Sequence, residues 1–216
     1  MSLELFYHPF ASYCWKALIA LYENGTPFEP HLVDLGDPAA SAAFKQVWPI
    51  GKFPVLRDRA RGQTVPEASV IIEYLAVNYP GPCKLIPTDA DLAWQMRVWD
   101  RFYDLYVHTP MQKVVGDALR PPGKQDEHGV EEAKAQLRTS YGIIEQRMAA
   151  QAWGLGSAFS MVDCAAAPAL HYADFIVPLS GYEHVAGYLR RLKERPSFAR
   201  VLAEAAPYWP LFPLKR

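Results

Sequence analysis

Trp48-Pro49-Ile50-Gly51-Lys52-Phe53-Pro54-Val55-Leu56, followed by Val65-Pro66-Glu67-Ala68-Ser69, decides how this chain folds. A loop ends at Phe53-Pro54, a short apolar run starts at Val55, and a helical pattern opens at Glu67. Pro54 has no N–H to give to a ladder, so it belongs at the head or edge of a strand. Roughly 5–6% of X–Pro bonds in folded proteins are cis. A cis bond at Phe53-Pro54 would turn the Phe53 N–H and C=O sideways, where they can pair with an extended peptide. The helix start at Glu67 adds unpaired N–H groups that favour a carboxylate. A backbone grip beside an anion seat suits a small anionic peptide.

Working outward, Leu3–Tyr7 reads as a buried strand and Tyr13–Glu23 as a helix, with Cys14, Leu18 and Leu21 on one face and Asn24-Gly25 as its stop. Phe28–Val33 is a second strand, so the start is a βαβ unit with a parallel pair and a right-handed crossover. Ala39–Val47 forms a short helix. Val55–Arg57 and Gln63–Val65 make a hairpin about Arg61-Gly62, and Glu67–Asn78 is helical. The expectation for residues 1–80 is an α/β unit with a mixed four-stranded sheet. Tyr79-Pro80-Gly81-Pro82 and Ile86-Pro87 mark a linker over 81–90.

Residues 91–216 read as all-helical. Between Leu92 and Val115 two apolar stripes run along one helix: Leu92, Met96, Trp99, Tyr103 and Tyr106, and then Trp94, Val98, Phe102 and Leu105. Either both are core, or one edge with Tyr103 and Tyr106 faces a cleft. Val130–Ala150 is a second long helix. Phe159-Ser160-Met161-Val162-Asp163 has the form of a capping box ahead of an apolar helix, which Pro168 should kink.

Half of the 216 residues are hydrophobic, enough for substantial cores, and net charge is −1. Residues 1–80 hold 6 Lys/Arg against 8 Asp/Glu, and 81–216 hold 16 against 15. Neither half carries a nucleic-acid footprint. Cys14, Cys83 and Cys164 are odd in number and widely spaced, which points to a reducing compartment rather than disulfides or zinc. The six histidines show no metal spacing. Met1-Ser2-Leu3-Glu4 does not open a signal peptide, and no run reaches membrane-spanning length. A cytoplasmic protein is expected.

In order and length the chain resembles the cytosolic glutathione transferases of bacterial type, whose first domain is thioredoxin-like. Their pattern is Asn-Pro-x-Gly-x-Val-Pro-x-Leu, then Glu-Ser before the third helix. Trp48 replaces the Asn and Ala68 the Ser, with Ser69 one place on. The resemblance implies glutathione as co-substrate, conjugated to a small hydrophobic electrophile in detoxification, by a homodimer that needs no metal. It assigns Phe53 and Pro54 to the cysteinyl backbone, and Glu67 with the Ala68 N–H to the γ-glutamyl end. Ser69 recovers part of the missing serine contact. Lys52 either reaches the glycyl carboxylate or is a solvated loop charge. Trp48 is assigned to the seam between domains, and Tyr7 to strand packing.

Conjugation needs a thiolate. Bringing a thiol from pKa ~8.5 to ~6.5 takes roughly 2.7 kcal/mol, and one hydrogen bond to a charged group supplies about 1.5–3 kcal/mol. A single hydroxyl at a helix tip therefore suffices. Serine-type relatives place it in the loop Pro9–Lys16. Aligned on the following helix, their commonest serine falls on Ala11, with Ser12 beside it. Ser12 is the leading donor, or a helix cap. Cysteine-type relatives use a thiol for mixed-disulfide reductase chemistry, which would make Cys14 the reactive group, although its core spacing points to burial. The Tyr13 phenol also lies within reach. Phe10, Tyr13, Tyr103 and Tyr106 are the expected electrophile pocket, with the loop Arg120–His128 nearby. A non-catalytic glutathione or ligand binder and an isomerase-type use of glutathione are the rival functions.

Overall fold

The computed structural model describes residues 2–214, so Met1, Lys215 and Arg216, the outermost residues of the expected units, lie outside the described residues. Four strands, β1 (Leu3–Tyr7), β2 (Glu29–Leu32), β3 (Val55–Asp58) and β4 (Gln63–Pro66), form one sheet in the order β2-β1-β3-β4. β2 runs parallel to β1, while β3 and β4 are antiparallel to their neighbours. The sheet is mixed, as expected.

The period-two alternation of β1 sorts the layers. Leu3, Leu5 and Tyr7 face α1 (Ser12–Glu23) and α3 (Ala68–Asn78), and join the main core. Phe6 points the other way and packs with Val33, Phe44 and Val55 beneath α2 (Pro38–Val47). Trp48 joins this second cluster, not the domain seam, because it caps the C-terminus of α2 on the far side of the sheet. Glu4, on the same face as Phe6, is fully buried and held by Arg57 and Arg59, which bring its carboxyl down to about 2 against the cost of burial.

The rest is helical: α4 (Ala90–Phe102), a π-helical turn (Tyr103–His108), α5 (Thr109–Ala118), α6 (Glu127–Met148), α7 (Met161–Ala173), α8 (Glu183–Glu194), α9 (Pro196–Ala205) and a 3-10 turn (Ala206–Leu211). Every residue of α7 is buried. α1 of the first unit packs on it, and its alanines (Ala165, Ala166, Ala167, Ala169) keep its girth small on several sides. The capping box is present, with the Asp163 carboxylate accepting the Ser160 N–H at 2.8 Å. The helix runs through Pro168 as one element.

The two stripes on the long helix have different fates. Met96 and Tyr103 are core, whereas Trp94, Val98, Leu105 and Tyr106 are exposed. Only one side of this helix is covered within the chain.

Candidate functional site

The site grows from the loop between β1 and α1. Four hydrogen bonds pin that loop. The Phe10 N–H donates to His8 Nδ1 at 3.1 Å, and the Ala11 N–H to the His8 carbonyl at 3.0 Å. The Trp15 indole N–H donates to the Pro9 carbonyl at 2.6 Å, and the Tyr172 hydroxyl to the Phe10 carbonyl at 2.9 Å. Ala11 is the N-cap residue of α1 and offers no side-chain bond, so the cap reading of Ser12 does not hold.

Ser12 finds a different partner, His108, whose Nε2 lies 2.6 Å from its Oγ. A local break in helix geometry brings it there. Pro110 has no N–H to give to the Tyr106 carbonyl, and that carbonyl accepts the Ser140 hydroxyl at 2.7 Å instead. One residue earlier, the Thr109 N–H bonds the Asp104 carbonyl five residues back, and the Thr109 hydroxyl donates to the same oxygen at 2.9 Å. The π turn these bonds close is a device often found at functional sites. It carries both Asp104 and His108 inward.

Tyr13 lies flat on the His108 ring, with centroids 3.9 Å apart and planes 2° apart. Its hydroxyl points to the Asp104 carbonyl at 3.4 Å. Burial, and then the Asp104 charge, push the phenol up to about 12. Burial and the nearby Lys16 charge push His108 down to about 3, so it is a neutral imidazole at pH 7.

Behind this pair lies an ionic cluster that ties the two units together. The fully buried Lys16 ammonium of α1 contacts Asp100 Oδ1 at 2.7 Å and Asp104 Oδ2 at 2.8 Å, and donates to Ser69 Oγ at 2.8 Å. The Ser69 hydroxyl donates to Asp100 Oδ2 at 2.8 Å and is also bonded by Arg101. Its one hydrogen is thus directed at Asp100 within the chain.

The sequence motif converges as its register requires. Phe53-Pro54 is a cis bond. Val55 pairs with Pro66, which sets Pro54 beside Glu67 at one end of the hairpin. Glu67 adopts a left-handed φ of 69°, rare for a side-chain-bearing residue, and caps α3 without a side-chain bond of its own. The buried Ala68 opens the first turn.

A cavity of about 470 Å³ lies beside the loop. Phe10, Ala11, Ser12 and Tyr13 line it from the first unit, with Lys52 and Phe53 from the motif. Pro54, Glu67, Ala68 and Ser69 do not line it. The opposite wall was not foreseen: Met111, Gln112, Val115 and Leu119 from α5, Tyr172 from α7, and Leu211, Phe212 and Pro213 near the C-terminus. A Met/Val/Leu run at helical spacing reads as core in sequence, and nothing in it signals a wall. Residues 120–128 do not line the cavity.

Three expected site residues lie elsewhere. Cys14 is fully buried, and burial pushes its thiol well above the ordinary range. It shares the core-facing stripe of α1 with Leu18 and Leu21 and does not line the cavity. Tyr103 is 1% exposed and belongs to the core, where burial raises its phenol. Tyr106 faces outward, in a shallow depression with Val98, Phe102 and Leu105, away from the cavity. Among the described residues one trio has metal-ligand spacing, Glu4, Glu29 and His31. The two guanidiniums on Glu4 make it an ion-pair network. No helix of the described residues is long and apolar enough to cross a membrane.

A four-stranded mixed sheet with a cis-proline motif, docked on a helical unit with a cleft at the β1–α1 loop, defines a thioredoxin-like domain joined to an all-helical one. Residues 5–83 match the family model for the glutathione S-transferase N-terminal domain, and 127–191 that for the glutathione S-transferase C-terminal domain. The chain belongs to the cytosolic glutathione S-transferase family. It is 26% identical to the glutathione S-transferase-like protein OpS6 of Beauveria bassiana, over 94% of this chain and 96% of that one. It is 26% identical to the glutathione S-transferase GstA of Escherichia coli O157:H7, over 93% and 98%. A glutathione S-transferase from Methylobacillus flagellatus, solved with glutathione bound, superposes with a TM-score of 0.84 at 26% identity, covering 93% of this chain and 98% of that one.

Proposed function

We propose that the protein is a glutathione transferase in which Ser12, set by His108, holds the glutathione sulfur as a thiolate for attack on a small apolar electrophile. The observation that carries this reading is the Ser12–His108 contact at the mouth of an apolar cavity. A neutral imidazole with its proton on Nε2 donates to Ser12 Oγ, which releases the serine hydrogen for the thiolate. The opposite tautomer accepts that hydrogen and leaves none. A negative sulfur favours the first arrangement, because only there does an O–H dipole point at it. The thiol proton passes to solvent. The thiolate then forms the C–S bond as the bond from that carbon to its halide breaks and the halide leaves.

The glutathione seat follows the motif: Phe53 backbone and Pro54 for the cysteinyl unit, Glu67 and the Ala68 N–H for the γ-glutamyl end, and Lys52 for the glycyl carboxylate. Support comes from the free α3 N-terminus and the exposed Lys52 ammonium. Residues 1–80 act as the glutathione domain and 91–216 as the electrophile domain, joined through 81–90. Two copies pair through Trp94, Val98, Leu105 and Tyr106, with Val70 and Val77 of α3; their exposure supports this. Work in the cytoplasm fits three cysteines outside any disulfide.

The test is turnover of an activated aryl halide with glutathione, where Ser12→Ala lowers kcat/KM at least tenfold. Full activity in that variant together with a dead Cys14→Ser would sink the serine mechanism. A second reading, a glutathione binder without turnover, is favoured by the same hydroxyl being already engaged. Retention on immobilised glutathione with no conjugation of any electrophile supports it.

A further inference from the structure

The cavity wall contributed by α5 carries a polar group that the chemistry above does not use. Five lining residues have polar side chains: Ser12, Tyr13, Lys52, Gln112 and Tyr172. Ser12 is bonded to His108, Tyr13 to the Asp104 carbonyl and Tyr172 to the Phe10 carbonyl. Of these five, the Lys52 ammonium and the Gln112 amide have no hydrogen-bond partner within the described residues. Lys52 precedes Phe53 and stands at the glutathione end, which leaves Gln112 as the one open polar side chain on the electrophile wall.

Its position is defined relative to the reacting sulfur. His108, Gln112, Val115 and Leu119 share one face at helical spacing, so Gln112 stands four residues, about 6 Å, beyond the residue that holds Ser12. Across the cavity Phe10 meets Tyr172 edge to face at 5.9 Å, and Phe212 at 6.3 Å. Aromatic walls of this kind suit a flat ring. A ring whose reacting carbon lies at the serine end carries its opposite substituent towards the amide. An apolar wall with one amide rewards a substrate oxygen that can pair with it, since a ring bound over the exposed Gln112 displaces the water that hydrates its amide and leaves it unsatisfied unless the ring supplies a partner.

Resting on the glutathione reading above, we propose that Gln112 is a specificity-determining residue: it selects aromatic electrophiles that bear a neutral hydrogen-bonding oxygen para to the carbon that receives the sulfur. The amide supplies both N–H donors and a carbonyl acceptor, so ketone, ester and phenol oxygens are all matched. No charged side chain lines that wall, so a carboxylate or ammonium in the same place finds no countercharge there and is disfavoured.

The experiment measures binding of two preformed conjugates by calorimetry, which needs no turnover: S-(para-acetylphenyl)glutathione and its shape-matched counterpart S-(para-isopropylphenyl)glutathione. Gln112→Leu weakens the acetyl conjugate at least fivefold and leaves the isopropyl conjugate unchanged or tighter. Gln112→Glu, which keeps acceptors but loses the N–H donors, also weakens the acetyl conjugate. Gln112 is exposed, so both variants fold, as thermal melts will verify. If Gln112→Leu shifts both conjugates equally, or shifts neither, the proposal is overturned while the glutathione site stands. If the wild type binds neither conjugate nor S-methylglutathione, both the proposal and the glutathione reading fall.

Discussion

His108 Nε2 lies 2.6 Å from Ser12 Oγ although 96 residues separate them, and the π turn ahead of Pro110 makes the approach possible. If the imidazole acts by donating to the serine, an amide can replace it in part. His108→Leu should lower kcat for aryl halide conjugation about as far as Ser12→Ala. His108→Gln, which keeps an N–H near Ser12, should retain severalfold more. Equal loss in both histidine variants would assign His108 a packing role only.

Thiol accessibility separates the two mechanisms without any electrophile. Cys14 and Cys164 are fully buried, and burial raises both thiols, while Cys83 is half-buried. Under native conditions iodoacetamide should label Cys83 alone, and Cys14→Ala should keep conjugation within about twofold. Rapid native labelling of Cys14, read by peptide mass, is the contrary outcome.

Lys16 should matter for stability more than for chemistry. It is 1% exposed between Asp100, Asp104 and Ser69, and Lys16→Met leaves those carboxylates with Arg101 as their only cation. Removing one partner from a buried ion cluster costs about 3–5 kcal/mol. Urea unfolding should show a loss of that size. A larger part of the loss should disappear in the triple variant with Asp100→Asn and Asp104→Asn, because the unpaired charge is then gone.

Acid should weaken the fold through two imidazoles. Burial holds both His108 and His171 near pKa 3, below an ordinary 6.5, with the Lys16 and Lys193 charges adding smaller pushes. A base with a depressed folded pKa binds fewer protons in the folded than in the unfolded state. Stability is therefore complete above about pH 6.5, and falls as pH drops towards 3 by up to about 1.4 kcal/mol per unit for each histidine. Both ring nitrogens of His171 lack partners, and the ring lies 5.5 Å from the Trp209 ring, nearly parallel to it. His171→Phe should flatten the decline between pH 6 and 4 in urea titrations. An unchanged pH slope would show that His171 contributes nothing to it.

Glu67 holds a left-handed φ with no side-chain hydrogen bond to compensate. Glycine adopts that conformation at no steric cost, whereas a strained side-chain-bearing residue costs about 1–3 kcal/mol. Glu67→Gly should hold or raise the melting temperature and weaken glutathione binding at least tenfold. Loss of stability with intact binding would reverse the assignment.

Most of the first domain is legible locally. Pro54 at the head of β3, the alternation of Leu3, Leu5 and Tyr7, the Asn24-Gly25 stop and the capping box at Ser160 each act through neighbours a few residues away. Their effect is written in the pattern itself. The motif half of the cavity, Lys52 and Phe53, was legible for the same reason. The helix from Leu92 was not, because apolar periodicity marks faces but does not say which face is covered. Tyr103 and Tyr106 are three residues apart in one stripe, yet one is core and the other is solvent-facing. The π turn between them, closed where Pro110 withholds an N–H, shifts the helical phase that the stripe assumes.

By itself, then, the chain's order of residues determined a mixed sheet, a proline at the head of its third strand and a helical second unit, since those depend on backbone geometry and short-range patterning. Tertiary structure alone decided that Ser12 meets His108, that Ser69 serves Lys16 and Asp100, and that Cys14 is sealed in the core. Those outcomes depend on contacts tens of residues apart, where packing of α1 against α7 and the π turn sets which side chains come within hydrogen-bonding reach.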